Sequence, residues 1–151
     1  GTLIGFVELN TQEKTELREL MDIVESNEKG FFLQPCNKYC DGCTIYSQRP
    51  KQCASYKCGL LKSVEQKELD FNLALEIINE VKQKKINIEK NITTLQLELQ
   101  SQSFYFKMIE LKKLLQKYEA ESSLKQKDLE LISELEQLDN LLVSKFDLSI
   151  S

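Results

Sequence analysis

Histidine is absent from this chain. A Cys–His pair is therefore impossible, and the thiol protease and amidase chemistries that need an imidazole base go with it. Glycine and proline are missing from everything beyond Gly59, because the last of the five glycines stands there and both prolines, Pro35 and Pro50, precede it. The chain from Leu60 onward thus lacks the residues that most readily break a helix. Basic charge is not in excess either: 20 Lys and Arg against 24 Asp and Glu leave a net charge of −4. Nucleic-acid affinity rests mainly on cations displacing counterions, so this balance argues against a nucleic-acid partner. No apolar run approaches the ~20 residues needed to cross a bilayer. Residues 2–9 are too short, and lack the basic leader, for a signal peptide. The expectation is a cytoplasmic chain with no membrane association.

What is present divides into two compositions. Residues 1–62 are charge-balanced and hold all the glycines, prolines and cysteines, whereas residues 63–151 are rich in Glu, Lys, Gln and Leu and carry the net charge. Two domains are expected, with their boundary at Lys62. In the first, TLIGFVEL over residues 2–9 predicts a buried strand, with Gly5 marking a tight approach or a bulge. Asn10 and Glu13 form a capping pair, and Leu17, Leu20, Met21 and Val24 recur at helical spacing, predicting an amphipathic helix over residues 11–26. Phe31, Phe32 and Leu33 are expected to pack the small core.

In the second part Phe71, Ala74, Ile78, Val81, Lys85, Ile88, Ile92, Leu95 and Leu99 alternate steps of three and four, an a/d seam that only Lys85 interrupts. A single polar a position fixes register or strand number, and Lys85 reads as such a specificity element. A helix over residues 64–100 would be about 55 Å long. Residues 101–103 (Ser-Gln-Ser) predict a turn. A second seam follows through Phe104, Met108, Leu111, Leu115 and Tyr118, and after Ser122–Ser123 a third through Leu131, Leu135, Leu138 and Leu142. A hairpin of two long helices bent at Ser122–Ser123, or three shorter helices in a bundle, would bury these seams. The hairpin is preferred here, with pairing to a second copy or a protein partner through the helical arm left open.

All five cysteines, Cys36, Cys40, Cys43, Cys53 and Cys58, fall in one aperiodic segment as C-x3-C-x2-C-x9-C-x4-C. Such a segment buries too little apolar surface to hold itself and needs a staple. An odd cysteine count without a secretory leader argues against a disulfide framework. The polar neighbours Asn37, Lys38, Asp41, Gln48, Arg49, Lys51 and Gln52 argue against buried, unliganded thiols. Metal remains: Cys40 and Cys43 have chelating spacing, and Cys53 and Cys58 would close the sphere. Thiolate ligands select zinc, as a closed tetrahedral site, or iron in an Fe–S cluster. Lys38, Lys51 and Lys57 stand near enough in sequence to offset thiolate charge or simply to be solvated. Proline restrains its predecessor, so Arg49-Pro50 is expected to set the turn that brings Cys43 and Cys53 together, with Arg49 bonding loop carbonyls. Tyr46 and Tyr56 are expected to shield the sulfurs.

Cys43-Thr44-Ile45-Tyr46, then Arg49-Pro50, Cys53, Tyr56 and Cys58, resembles the second half of the YkgJ-type cysteine-cluster family, a zinc- or iron-chelating domain. The likeness is specific over residues 43–58, agrees only in element order over residues 1–42 and covers none of the helical arm. It implies metal chelation, with Cys36 as the family's preceding cysteine and Cys40 an addition, or the two exchanged. The family's CxxCxxCC run ahead of the first strand is missing, and the resemblance implies such cysteines directly upstream of Gly1. Wider relatives include a flagellin lysine N-methylase, but no glycine-rich S-adenosylmethionine loop is present here.

The resulting fold expectation is mainly α: a small, irregular, cysteine-rich α(+β) metal-binding head followed by a long helical hairpin or coiled coil. Three functions compete. The first is zinc or iron binding by the cluster, with the arm serving self-association or partner docking; the second is an Fe–S or metal-dependent enzyme component in redox or methyl transfer. The third is a coiled-coil scaffold with a metal-stapled head. Lack of histidine and of a recognisable nucleotide or phosphate loop weighs against the enzyme.

Overall fold

Helix formation begins where Asn10 predicts it. In the computed structural model, which describes residues 3–26 and 29–150, the Asn10 side chain accepts from Glu13 N at 2.9 Å and the Glu13 carboxylate accepts from Asn10 N at 3.0 Å. This reciprocal box starts α1 (Thr11–Leu17). The helix expected to reach residue 26 stops at Leu17, with Leu20 N and Met21 N both turning back to the Leu17 carbonyl. Asp22, Ile23 and Val24 are poor helix formers, and Val24 is used instead in a strand.

That strand is β2 (Val24–Ser26), which joins β1 (Phe6–Leu9) and β3 (Lys29–Leu33) in an antiparallel sheet of order β1-β3-β2. Val7 lies opposite Phe32 and Val24 opposite Phe31. The strand expected over residues 2–9 is thus found at its C-terminal half; Thr2 lies outside the described residues. Alternate β1 residues, Val7 and Leu9, turn inward and meet Phe32, Leu17 and Met21 in a small core. Gly5 fulfils the close approach read from sequence, since a Cβ there would lie 2.5 Å from the Tyr105 ring.

The cysteine segment is more regular than its sequence implies. A 3-10 turn (Tyr46–Gln48) leads through Arg49-Pro50 into α2 (Lys51–Ser55). The Glu13 carboxylate reaches across to cap α2, accepting from Lys51 N at 2.7 Å, while the Gln52 side chain accepts from Glu8 N at 2.6 Å. Helix α2 is thereby tied to both α1 and the β1 edge.

The chain clusters into two compact units, residues 1–56 with 102–106, and residues 57–101 with 107–151. The division falls at Tyr56–Lys57, ahead of the expected boundary at Lys62, because residues 57–62 enter α3 (Gly59–Glu65) of the second unit. The single helix expected over residues 64–100 is broken: α4 (Phe71–Thr94) restarts at Asp70, whose carboxylate accepts from Asn72 N at 2.8 Å. Next come α5 (Phe104–Ala120) and α6 (Gln126–Phe146). Three separate helices therefore replace the preferred two-helix hairpin. The molecule is mainly helical with a small three-stranded sheet.

Packing in the second unit follows the leucine seams unevenly. Leu131, Leu135, Leu138 and Leu142 of α6 are all buried, as are Met108, Leu111 and Leu115 of α5. On α4 only Ala74, Val81 and Ile88 are buried, and Phe71 at the head of the seam is 63% exposed. Helix α4 lies along α6, where Lys84 Nζ donates to Gln137 and Asn91 Nδ2 donates to Glu134. Lys85 pairs along its own helix with Glu89 at 3.6 Å. No helix among the described residues is long and apolar enough to cross a membrane.

Candidate functional site

Three of the five cysteines line one cavity in the first unit. Cys36 leaves β3 through Gln34-Pro35, Cys43 returns from the following loop, and Cys53 points from the middle of α2. The cavity encloses about 370 Å³, with Lys38, Tyr39 and Arg49 completing the wall. Cys36 and Cys53 also pack against the core formed by Val7, Leu9, Leu17, Met21 and Phe32. Two of the thiols are thus fixed by hydrophobic packing.

Backbone geometry sets the direction of the first sulfur. The Gln34 side chain accepts from Cys36 N at 3.0 Å, and the Cys36 Sγ accepts from Lys38 N at 3.4 Å. The two bonds together fix where the Cys36 sulfur faces. The loop that follows is pinned by Thr44, whose N and Oγ1 each donate to the Lys38 carbonyl at 2.9 Å. Tyr39 and Cys43 form a bridge across it, and Asp41 at its tip takes a left-handed conformation with φ 51°.

Charge within the cavity is mixed. Burial above all, then the charges of Cys36 and Cys43, hold the Cys53 thiol above its ordinary value; Arg49 opposes them and Glu13 adds to them. Cys53 therefore senses both neighbouring thiols and one cation, consistent with their shared cavity. The Arg49 guanidinium stacks on the Tyr46 ring at 3.9 Å. This replaces the expected bonding of Arg49 to loop carbonyls as its described contact. Tyr46 and Tyr56 are exposed and absent from the cavity wall, so they do not shield the sulfurs there; Tyr39 lines the wall but is itself 69% exposed.

The remaining cysteines stand elsewhere. Cys40 is exposed near the loop tip, outside the cavity wall, and Cys58 is the N-cap of α3 in the second unit. Lys38 lines the cavity, Lys51 opens α2, and Lys57 binds both oxygens of Glu65 at 2.8 Å. Sequence reasoning missed Gln34, Pro35 and Tyr39 as wall residues, and missed the second task of Glu13 as the cap of the helix that carries Cys53. Only the capping role of Glu13 had a local signal, since its reach to Lys51 spans 38 residues.

The residues fit a thiophilic metal in kind but not in spacing. Sulfur donors share one cavity and one receives an N–H, yet among the described residues no three Cys, Asp or Glu side chains stand close enough to hold a single ion. Of the five cysteines expected as ligands, Cys36, Cys43 and Cys53 share the cavity wall and Cys40 and Cys58 are not part of it. Compared with family models, curated proteins and solved structures, the chain matches none.

Proposed function

We infer that the first unit binds a soft metal ion, zinc or iron, through Cys36, Cys43 and Cys53, with Cys40 supplying the fourth thiolate. The observation that carries this reading is the placement of three thiols around one cavity, two of them fixed by the core and one on a loop. The likeness of residues 43–58 to a metal-chelating family supports it. Drawing the sulfurs to ligating distance is a task for the loop between Lys38 and Thr44. Gly42 has open space around it, and the exposed Cys40 lies three residues before Cys43, a spacing that lets both bind one ion. Metal binding then adds to the stability of the folded loop, because binding free energy at such sites is folding free energy.

Cobalt(II), which reports thiolate ligation by its sulfur-to-metal absorption, tests this directly. Added to the reduced full chain it should develop that absorption and saturate at one ion per chain, whereas Cys53→Ser should abolish it. A chain that never develops the band, or a Cys53→Ser variant that keeps it, removes the proposal.

A docking role for the helical part rests on a separate observation. Phe71, Leu75 and Ile86 are exposed, and at about 100° per residue they fall on one stripe of α4, roughly a third of a turn from its buried side. Self-association through this stripe would be seen as a sedimentation mass above the monomer that Ile86→Ser lowers.

A further inference from the structure

Beyond α6 the chain does not trail into solvent. Asp147 turns it in a left-handed conformation, φ 54°, and Leu148 N donates back to the Leu142 carbonyl at 3.2 Å. Ile150 is then gripped on both sides of its backbone. Its N–H donates to Asp139 Oδ1 at 3.0 Å, and its carbonyl accepts from Lys112 Nζ, which also pairs with Asp139 Oδ2 at 3.1 Å. The Ile150 side chain is 2% exposed. Leu148 is half-buried and Ser149 exposed, so burial alternates along residues 148–150.

This arrangement has the components of peptide recognition: an apolar slot for a side chain and a charged pair that reads the adjacent N–H and C=O. The slot also continues. As the tail advances from Leu148 to Ile150 its contacts on α6 step back from Leu142 to Asp139. The same line leads on to Glu136, Leu135 and Ile132. These residues line a cavity of about 250 Å³ between α5 and α6, which begins at the Lys112–Asp139 pair. Its floor is Leu115, Ile132 and Leu135, and the acidic groups Glu119 and Glu136 stand on opposite walls.

We propose that the α5–α6 groove is a docking site for an extended peptide segment of a partner protein, with an aliphatic residue at the Lys112–Asp139 clamp followed by basic residues. The chain's own Leu148–Ile150 is the internal occupant of the clamp and competes for it. The seated tail fixes the chemistry of the occupant at the clamp, and the acidic walls fix its charge beyond. This site is separate from the cysteine cavity and does not depend on metal.

A labelled synthetic peptide with the sequence of residues 147–151 extended by two lysines tests the proposal, using fluorescence anisotropy on the full chain. Binding should saturate, and Ile150→Ala, which loosens the internal tail, should tighten it about tenfold by raising the fraction of open clamp. Combined Glu119→Lys and Glu136→Lys should transfer preference to a peptide ending in two glutamates. The proposal is overturned by the absence of saturable binding to either chain, by equal binding of the lysine and glutamate peptides, or by an Ile150→Ala chain that dimerises instead of binding. Should Ile150→Ala fail to fold, excess peptide must shift the Ile150 methyl resonances of the unaltered chain; unmoved resonances overturn the proposal equally.

Discussion

Left-handed backbone is where side-chain identity matters most at the helix ends of this chain. Lys67, Gln96, Ser122 and Asp147 all have φ between 53° and 61°. Each follows or closes a helix, and at the first three the two N–H groups after the last turn point back to its carbonyls. Gln96 N donates to Thr93 O and Leu97 N to Ile92 O; Ser122 N and Ser123 N repeat the pattern with Glu119 O and Tyr118 O. Glycine normally occupies this position, because a Cβ clashes there at a cost of about 1–2 kcal/mol. A chain without glycine beyond Gly59 makes these turns at that cost. Gln96→Gly should therefore raise stability by about 1 kcal/mol, read from the urea midpoint, whereas glycine at Asn91, inside α4, should lower it by a similar amount. A Gln96→Gly chain no more stable than the parent would show that the left-handed turn is not strained. The same residues explain why the break between Glu65 and Phe71 was hidden in the sequence. Absence of glycine is not absence of a stop, because hydrogen-bonded turns built on Lys67 and Gln96 end helices without it. The legible signal was Asp70, an N-cap ahead of Phe71.

Whole elements divide by how far their stabilising partners lie along the chain. Helix α6 and the α5 seam were legible because three- and four-residue spacing of leucines needs no knowledge of the partner, and the burial of Leu131, Leu135, Leu138 and Leu142 follows. Strand β2 was hidden because Val24 acts through pairing with Phe31. On α4 the seam overstates burial, since Phe71 at its head is exposed and only Ala74, Val81 and Ile88 are buried. The connection from α4 to α5 depends on one carboxylate. Glu110 accepts from Gln100 N at 2.8 Å and from Ser101 N at 3.0 Å, and these backbone bonds hold its carboxyl below the ordinary value. A carboxyl lowered in the folded state stabilises above its unfolded pKa, about 4.3, and that stabilisation fades as pH falls through the folded value. Glu110→Gln should remove this part of the acid dependence and leave a shallower loss of stability below about pH 4. Parallel stability profiles of the two chains between pH 6 and acid, measured by thermal unfolding, would contradict the role assigned to Glu110; the pH range is about two units either side of the carboxylate range.

At the scale of the molecule, the two units are built on different cores. The first unit has Val7, Leu9, Leu17, Met21 and Phe32 beneath Cys36 and Cys53, whereas the second has its own run of buried leucines on α5 and α6. The cysteine spacing made the cavity legible as a cluster, but not its membership. Cys58 follows Cys53 closely in sequence yet opens α3 in the other unit, and nothing in C-x4-C distinguishes a ligand from a helix cap. A ligand that binds only the folded first unit stabilises that unit by about 2.7 kcal/mol at a hundredfold excess over its dissociation constant. Zinc added to the reduced chain should therefore slow amide exchange most in β1, β3 and α2, whose residues carry or support the thiols, and leave Leu135 and Leu138 of α6 near their metal-free rates. Local opening free energies report each region separately, so the comparison needs no assumption of a single unfolding transition. Uniform slowing in both units would mean that metal acts through the whole chain, and no slowing anywhere would leave the three thiols as cavity wall alone.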